Sequence, residues 1–176
     1  MTALPPFALE RFFARHEFTV EVNACASDVE APTMAEVIGW ASAQTRAAWD
    51  ELALGYTEAP GHPRLRAAIA ALYEGAEPDD VLVFAGAQEA IFAWANVELG
   101  AGDHVVVVWP SYQSLHEVAR ATGADVTLLE LRHEDGWALD LDAVRDALRP
   151  GATRAGAERR PTVAAVLDAL VSSGSA

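Results

Sequence analysis

From Val81 onward, apolar and polar positions alternate between two rhythms. "VLVF" (Val81 to Phe84) is a short apolar, β-branched run that reads as a strand, and "AQEAIFAWANVEL" after it carries apolar residues at helical spacing. "HVVVVW" repeats the strand signal, "SYQSLHEVARAT" the helix signal, and "DVTLLEL", beyond the Gly123 turn, a third strand. These strands are apolar throughout instead of alternating, the pattern of a parallel sheet covered on both faces. The expected fold class is therefore α/β.

Upstream, "FALERFFARHEF" is spaced as a short amphipathic helix, and "TVEVNACASDVEAPT" reads as extended chain and loop. Thr33 followed three residues later by Glu36 has the spacing of a capping box, so a helix starts there. "GYTEAPGHPRLRAAIAALYEG" has turn residues through Pro63, then Leu65, Ile69 and Leu72 on one helical face, with Gly75 as the expected stop. Downstream, "DLDAVRDALRPG" offers an Asp cap, a short helix and a Pro-Gly end. The remainder, "GATRAGAERRPTVAAVLDALVSSGSA", breaks the rhythm where another strand is due and reads as a flexible tail.

Composition narrows the range of partners. The chain has 176 residues, 52% of them hydrophobic, enough for one domain that buries roughly 70% of its unfolded surface. Its net charge of -14 leaves no basic stripe for nucleic acid or an anionic membrane. The N-terminus lacks the uninterrupted apolar core of a signal peptide, and Cys25 is the single cysteine, so the expected compartment is cytoplasmic. The five histidines, His16, His62, His104, His116 and His133, have no ligand spacing, which predicts surface positions and no metal site. All twelve basic residues are arginines: no lysine side chain is available to form an imine with an aldehyde.

At "FAGAQEA" a strand ending in Gly86 leads directly into a helix, so the N–H groups of Ala87 and Gln88 point out of the helix N-terminus, where they favour an anion. A plain strand-to-helix turn is the competing reading. A Walker loop requires the lysine this chain lacks, and the G-x-G-x-x-G dinucleotide pattern is absent.

Taken in order, "YTEAPGHPRLRAAIA", "VFAGAQEAIF" and "VVVVWPSYQSLHEVARATGADVTLLEL" resemble the N-terminal half of a class I/II aminotransferase, a pyridoxal 5'-phosphate (PLP) enzyme of fold type I. The resemblance implies a three-layer PLP-dependent transferase-like large domain with an incomplete sheet. Residues 1–50 would form an N-terminal segment with helices, 51–150 the partial large domain and 151–176 the divergent tail. It further implies that Gly86, Ala87 and Gln88 cradle the cofactor phosphate, that Tyr112 stacks on the pyridine ring, and that Tyr56 reaches the phosphate of a partner subunit, hence a homodimer. Ser27, Asp28 and Glu30 fall where the family's N-terminal segment passes the substrate, and as solvated loop residues they are given no role.

After "DALRP" the family pattern would continue with a strand, an Asn-Pro-x-Gly segment, an Asp for the pyridine nitrogen, the Schiff-base Lys and an Arg for the substrate carboxylate. This sequence has none of them. The expectation is an aminotransferase-like chain truncated by a frameshift or stop, inactive alone and binding PLP weakly and non-covalently. The complete family enzyme would transfer an amino group between an amino acid and a 2-oxo acid. One half of a split enzyme completed by another polypeptide, and a non-catalytic interaction module, are the alternatives. "VLVF" would also lack its usual strand neighbours, and unpaired edges invite association.

Overall fold

A computed structural model describes residues 3–25 and 29–148. In chain order its elements are α1 (Ala8–His16), α2 (Met34–Trp40), α3 (Ala43–Asp50), α4 (Pro63–Ala70), α5 (Ala87–Glu98), β1 (His104–Trp109), α6 (Gln113–Thr122), β2 (Asp125–Glu130) and α7 (Leu141–Ala147). Short 3-10 turns cover Pro78–Asp80 and His133–Asp135. The chain divides into two units, one of Met1–Thr19 with Phe84–Ala176 and one of Val20–Val83.

The first unit is built on β1. Its valines are β-branched, with Val105, Val106 and Val107 buried on both faces, and β1 pairs in parallel with β2 from His104↔Asp125 to Trp109↔Glu130. Val105 and Val107 form a core with Ala119 of α6 and Ala124, and Leu99, Leu115, Val126 and Leu128 pack around it. Each fully buried valine contributes about 1.5–3 kcal/mol. Gly123 ends α6 at φ +96°, a left-handed geometry that glycine adopts without steric cost, and thereby turns the chain into β2. β2 is only half-buried, in contrast to β1.

The second unit is held by local devices. Thr33 and Glu36 form both halves of the expected capping box: Glu36 N–H donates to Thr33 Oγ1 (3.3 Å) and Thr33 N–H to Glu36 Oε2 (2.7 Å). These bonds hold the Glu36 carboxyl below the usual range, the Thr33 hydroxyl contributing most. The helix stops at Trp40, and a new one opens at Ser42, whose Oγ accepts from Thr45 N–H. α4 ends at Ala70, before the expected stop at Gly75. Arg66 ties α4 to the following turn, donating to the Val81 carbonyl (3.0 Å) and to Asp79 (2.9 Å).

Two expectations are corrected. Val81–Phe84 is not a strand: its backbone is extended, but the Val83 N–H donates to the Pro60 carbonyl and the Val81 carbonyl accepts from Arg66, so these groups bond to a loop and a side chain instead of a ladder. The histidines are not all at the surface. His104 is buried, with Nε2 bonded to Thr127 Oγ1 across the β1–β2 pair, and His116 is buried edge-on to the Trp109 ring. The flexible tail expected at residues 151–176 lies outside the described residues.

Candidate cofactor-binding site

The turn at Gly86 is open. Gly86 is extended (φ -175°, ψ 161°), a conformation any residue adopts, and a Cβ there would meet nothing within 4 Å. Neither strain nor packing calls for glycine, so its effect is to leave the approach to α5 unobstructed. No side chain caps the helix, and Gly86, Ala87 and Gln88 are exposed. The free N–H groups of the first turn, together with the helix dipole, favour an anion. Glu89 folds back over this end, its Oε2 accepting from the Ala85 N–H at 2.9 Å.

Tyr112 stands at the N-cap of α6, directly after the carboxyl end of β1. Its ring meets Phe7 edge-on at 5.0 Å, and its hydroxyl donates to Glu10 Oε1 at 3.0 Å. Burial raises the phenol pKa above its ordinary value, and the Glu10 carboxylate raises it further. The next residue, Gln113, accepts from the Ala8 N–H (2.8 Å) and donates to the Pro6 carbonyl (3.1 Å). Phe7, Glu10 and Gln113 carried no sequence signal for this arrangement, because the partners lie about a hundred residues apart.

The two features belong to one end of the α/β layer. α5 passes through a turn at 99–103 into the start of β1, and α6 passes through Gly123 into the start of β2, with Gly123 against Ala101. The helices pack on each other with their C-termini at that end. Over lengths of about 18 and 15 Å, both helices therefore run with their N-termini toward the carboxyl ends of the strands, the side on which open α/β sheets bind ligands. A cleft of about 420 Å³ opens beyond the last residues of β1 and β2, lined by Trp109, Pro110, Arg132 and Trp137 among others, and Gly86, Ala87, Gln88 and Tyr112 are not part of its lining. Arg132 is already paired with Glu134.

PLP fits these residues. The uncapped α5 N-terminus suits a phosphate, Tyr112 presents an aromatic ring, and the buried hydroxyls of Ser111 and Ser114, on either side of Tyr112 in sequence, have no hydrogen-bond partner among the described residues. Tyr56, in the other unit, is fully exposed. Glu30 is exposed, whereas Ser27 and Asp28 lie outside the described residues. Among the described residues no three His, Cys, Asp or Glu side chains converge as metal ligands, and no helix is long and apolar enough to cross a membrane.

The profile of the family described as "Aminotransferase class I and II" matches residues 21–157. The chain belongs to this family. The match reaches further toward the N-terminus than the motifs beginning near Tyr56. Capreomycidine synthase of Streptomyces vinaceus is 34% identical over 148 residues, which are 83% of this chain and 38% of that enzyme. A PLP-dependent aminotransferase from Streptococcus suis superposes with a TM-score of 0.74 at 26% identity, covering 85% of this chain and 41% of the other. The PLP-dependent cyclase OrfR gives a TM-score of 0.67 at 29% identity, covering 86% and 39%. This aminotransferase-family chain thus spans about two fifths of the length of the relatives it matches. Its fold is that of the PLP-dependent transferases, with a sheet reduced to two strands among the described residues, and PLP is the family's cofactor.

Proposed function

We propose that this chain supplies the phosphate and ring-stacking part of a PLP site in an enzyme that transfers an amino group between an amino acid and a 2-oxo acid. The observation that carries the reading is the placement of the open α5 N-terminus and Tyr112 at one end of the layer, in a chain of this family. Ala87 and Gln88 N–H groups hold the phosphate, and Gly86 leaves room for it. Tyr112 orients the ring and keeps water from one face. Tyr56, exposed as a donor to a second subunit must be, reaches the phosphate of a partner copy in a homodimer. When bound, PLP supplies an electron sink for the substrate's α-carbon.

The 176 residues contain no lysine, so both the covalent anchor of the cofactor and the base at the α-carbon must come from polypeptide outside them. We take this chain to be inactive by itself, completed either by sequence continuous with it or by a separate chain. Binding is correspondingly weak. A helix N-terminus contributes about 0.3–2 kcal/mol and an aromatic stack about 0.5–1.5 kcal/mol, against the ~8 kcal/mol of micromolar affinity. Titration with PLP, followed by tryptophan quenching, is expected to give a dissociation constant weaker than about a millimolar and no borohydride-fixed side-chain adduct. Micromolar binding would overturn this reading. Translation of the DNA after the Arg149 codon in all frames tests the truncation. Finding no Asn-Pro-x-Gly or lysine-bearing segment there excludes it.

A second reading, cyclisation instead of transfer, is favoured by the names of two relatives, a capreomycidine synthase and a PLP-dependent cyclase. A completed enzyme that consumes an amino acid without producing a 2-oxo acid would decide for it.

A further inference from the structure

We propose that Pro6–Glu10 is a positioning strap for Tyr112, fastened by Gln113, and that Glu10 and Gln113 are positioning residues for the cofactor ring. This deepens the proposed function and rests on its assignment of Tyr112. The strap is held at four points: the Gln113 amide bonds through one atom to the Ala8 N–H and through the other to the Pro6 carbonyl, Phe7 packs on the Tyr112 ring, and Glu10 accepts the Tyr112 hydroxyl. The two backbone contacts set where the segment lies, and the two side-chain contacts set how the ring is turned. α1 needs these ties. It has nine residues, fewer than an isolated helix requires in water, and none of them is buried. With its hydroxyl and its ring both engaged, Tyr112 has one orientation available to it, the preorganisation that a stacking residue requires.

Limited trypsinolysis and PLP titration of the 176-residue chain test this together. Trypsin cuts here only after arginine, and Arg11 and Arg15 lie within α1 and are exposed, so cleavage there reports opening of the strap. Gln113→Ala is expected to accelerate that cleavage about tenfold and Glu10→Ala about threefold, the range of one or two net hydrogen bonds. Both should weaken PLP binding about threefold, and Glu10→Gln, which keeps an acceptor for the phenol, should recover part of each effect. Unchanged cleavage in Gln113→Ala and Glu10→Ala overturns the strap. Faster cleavage with wild-type PLP affinity overturns its positioning role and leaves the proposed function standing, provided that Tyr112→Ala weakens binding. Tyr112→Ala binding as well as wild type, or no binding by either, overturns the assignment of Tyr112 and the strap's role with it.

Discussion

The two units of this chain are stabilised by different means. In the first, β1 and α6 place buried residues against one another, and the core of Val105, Val107, Ala119 and Ala124 joins elements distant in sequence. In the second, among the described residues of 20–83, only Ala70 is buried, and Thr33, Ser42 and His62 each cap a helix from the position just before it. Buried apolar area ties the first unit together cooperatively, whereas caps fix helices one at a time. The open turn at Gly86 and the ring of Tyr112 both lie on the unit that has a core.

The largest contrast is expected from an aspartate placed in each unit. Val107→Asp puts a carboxylate where the native side chain is 1% exposed, and should cost at least about 3 kcal/mol. Leu72→Asp, at a position 78% exposed, should stay within about 0.5 kcal/mol. Urea denaturation followed by circular dichroism measures both, and equal losses would mean that the units do not differ as described.

Next in size is Gly61→Ala, at a tightly packed glycine of the second unit. Gly61 lies at φ +110°, and a Cβ would sit 2.6 Å from Val83 Cγ2. Backbone strain and overpacking together should cost about 2–3 kcal/mol. Gly86→Ala, extended and open, should cost little stability. Thermal melts of the pair compare a glycine required by geometry with one set in open space. Removing a cap is smaller again: Thr33→Ala should cost about 1 kcal/mol, read as faster amide exchange across α2.

What the sequence disclosed follows the same division. Caps and periodic helices were legible because their partners lie within a few residues: Thr33 with Glu36, and Asp140 with the amides of Asp142 and Ala143. β1 and β2 were legible because unbroken valine and leucine runs have few other solutions. "VLVF" has a similar composition but no neighbouring strand among the described residues, and β propensity cannot supply one. His104 and His116 were misread because their burial depends on Thr127 and Trp109, whose proximity arises only on folding. Of the candidate site, the resemblance pointed to Gly86–Gln88 and Tyr112, while Phe7, Glu10 and Gln113 became visible only with the fold.

His116 gives the first unit a pH dependence that arises from burial. Burial lowers its pKa below 6.5, with Arg120 adding to that and Glu117 opposing it. A histidine depressed in the folded state binds fewer protons there than when unfolded, so its contribution is present above pH 6.5 and is lost as pH falls through the folded value. Melts of wild type and His116→Phe between pH 7.5 and about 5 should diverge, with the wild type losing more on acidification. Parallel curves would assign the acid sensitivity to other groups.

The smallest effect concerns two glutamates that occupy the same helical position, the third residue, in different units. Glu36 closes a capping box with Thr33, whereas Glu89 reaches past the uncapped Gly86 to the Ala85 N–H. In α2 the carboxylate satisfies the helix end, and its neutralisation should loosen the first turn of α2 without touching PLP binding. In α5, on the proposed assignment, the carboxylate would share the positive end with an incoming phosphate, and the two would repel. Glu89→Gln keeps an acceptor for Ala85 and removes the charge, so PLP should bind about two- to threefold more tightly at low salt, and the gain should shrink as ionic strength rises. If Glu89→Gln instead weakens binding at every salt concentration, the carboxylate serves chiefly to hold the turn at 85–89 in shape, and the anion preference of this helix end is carried by its N–H groups without penalty from Glu89.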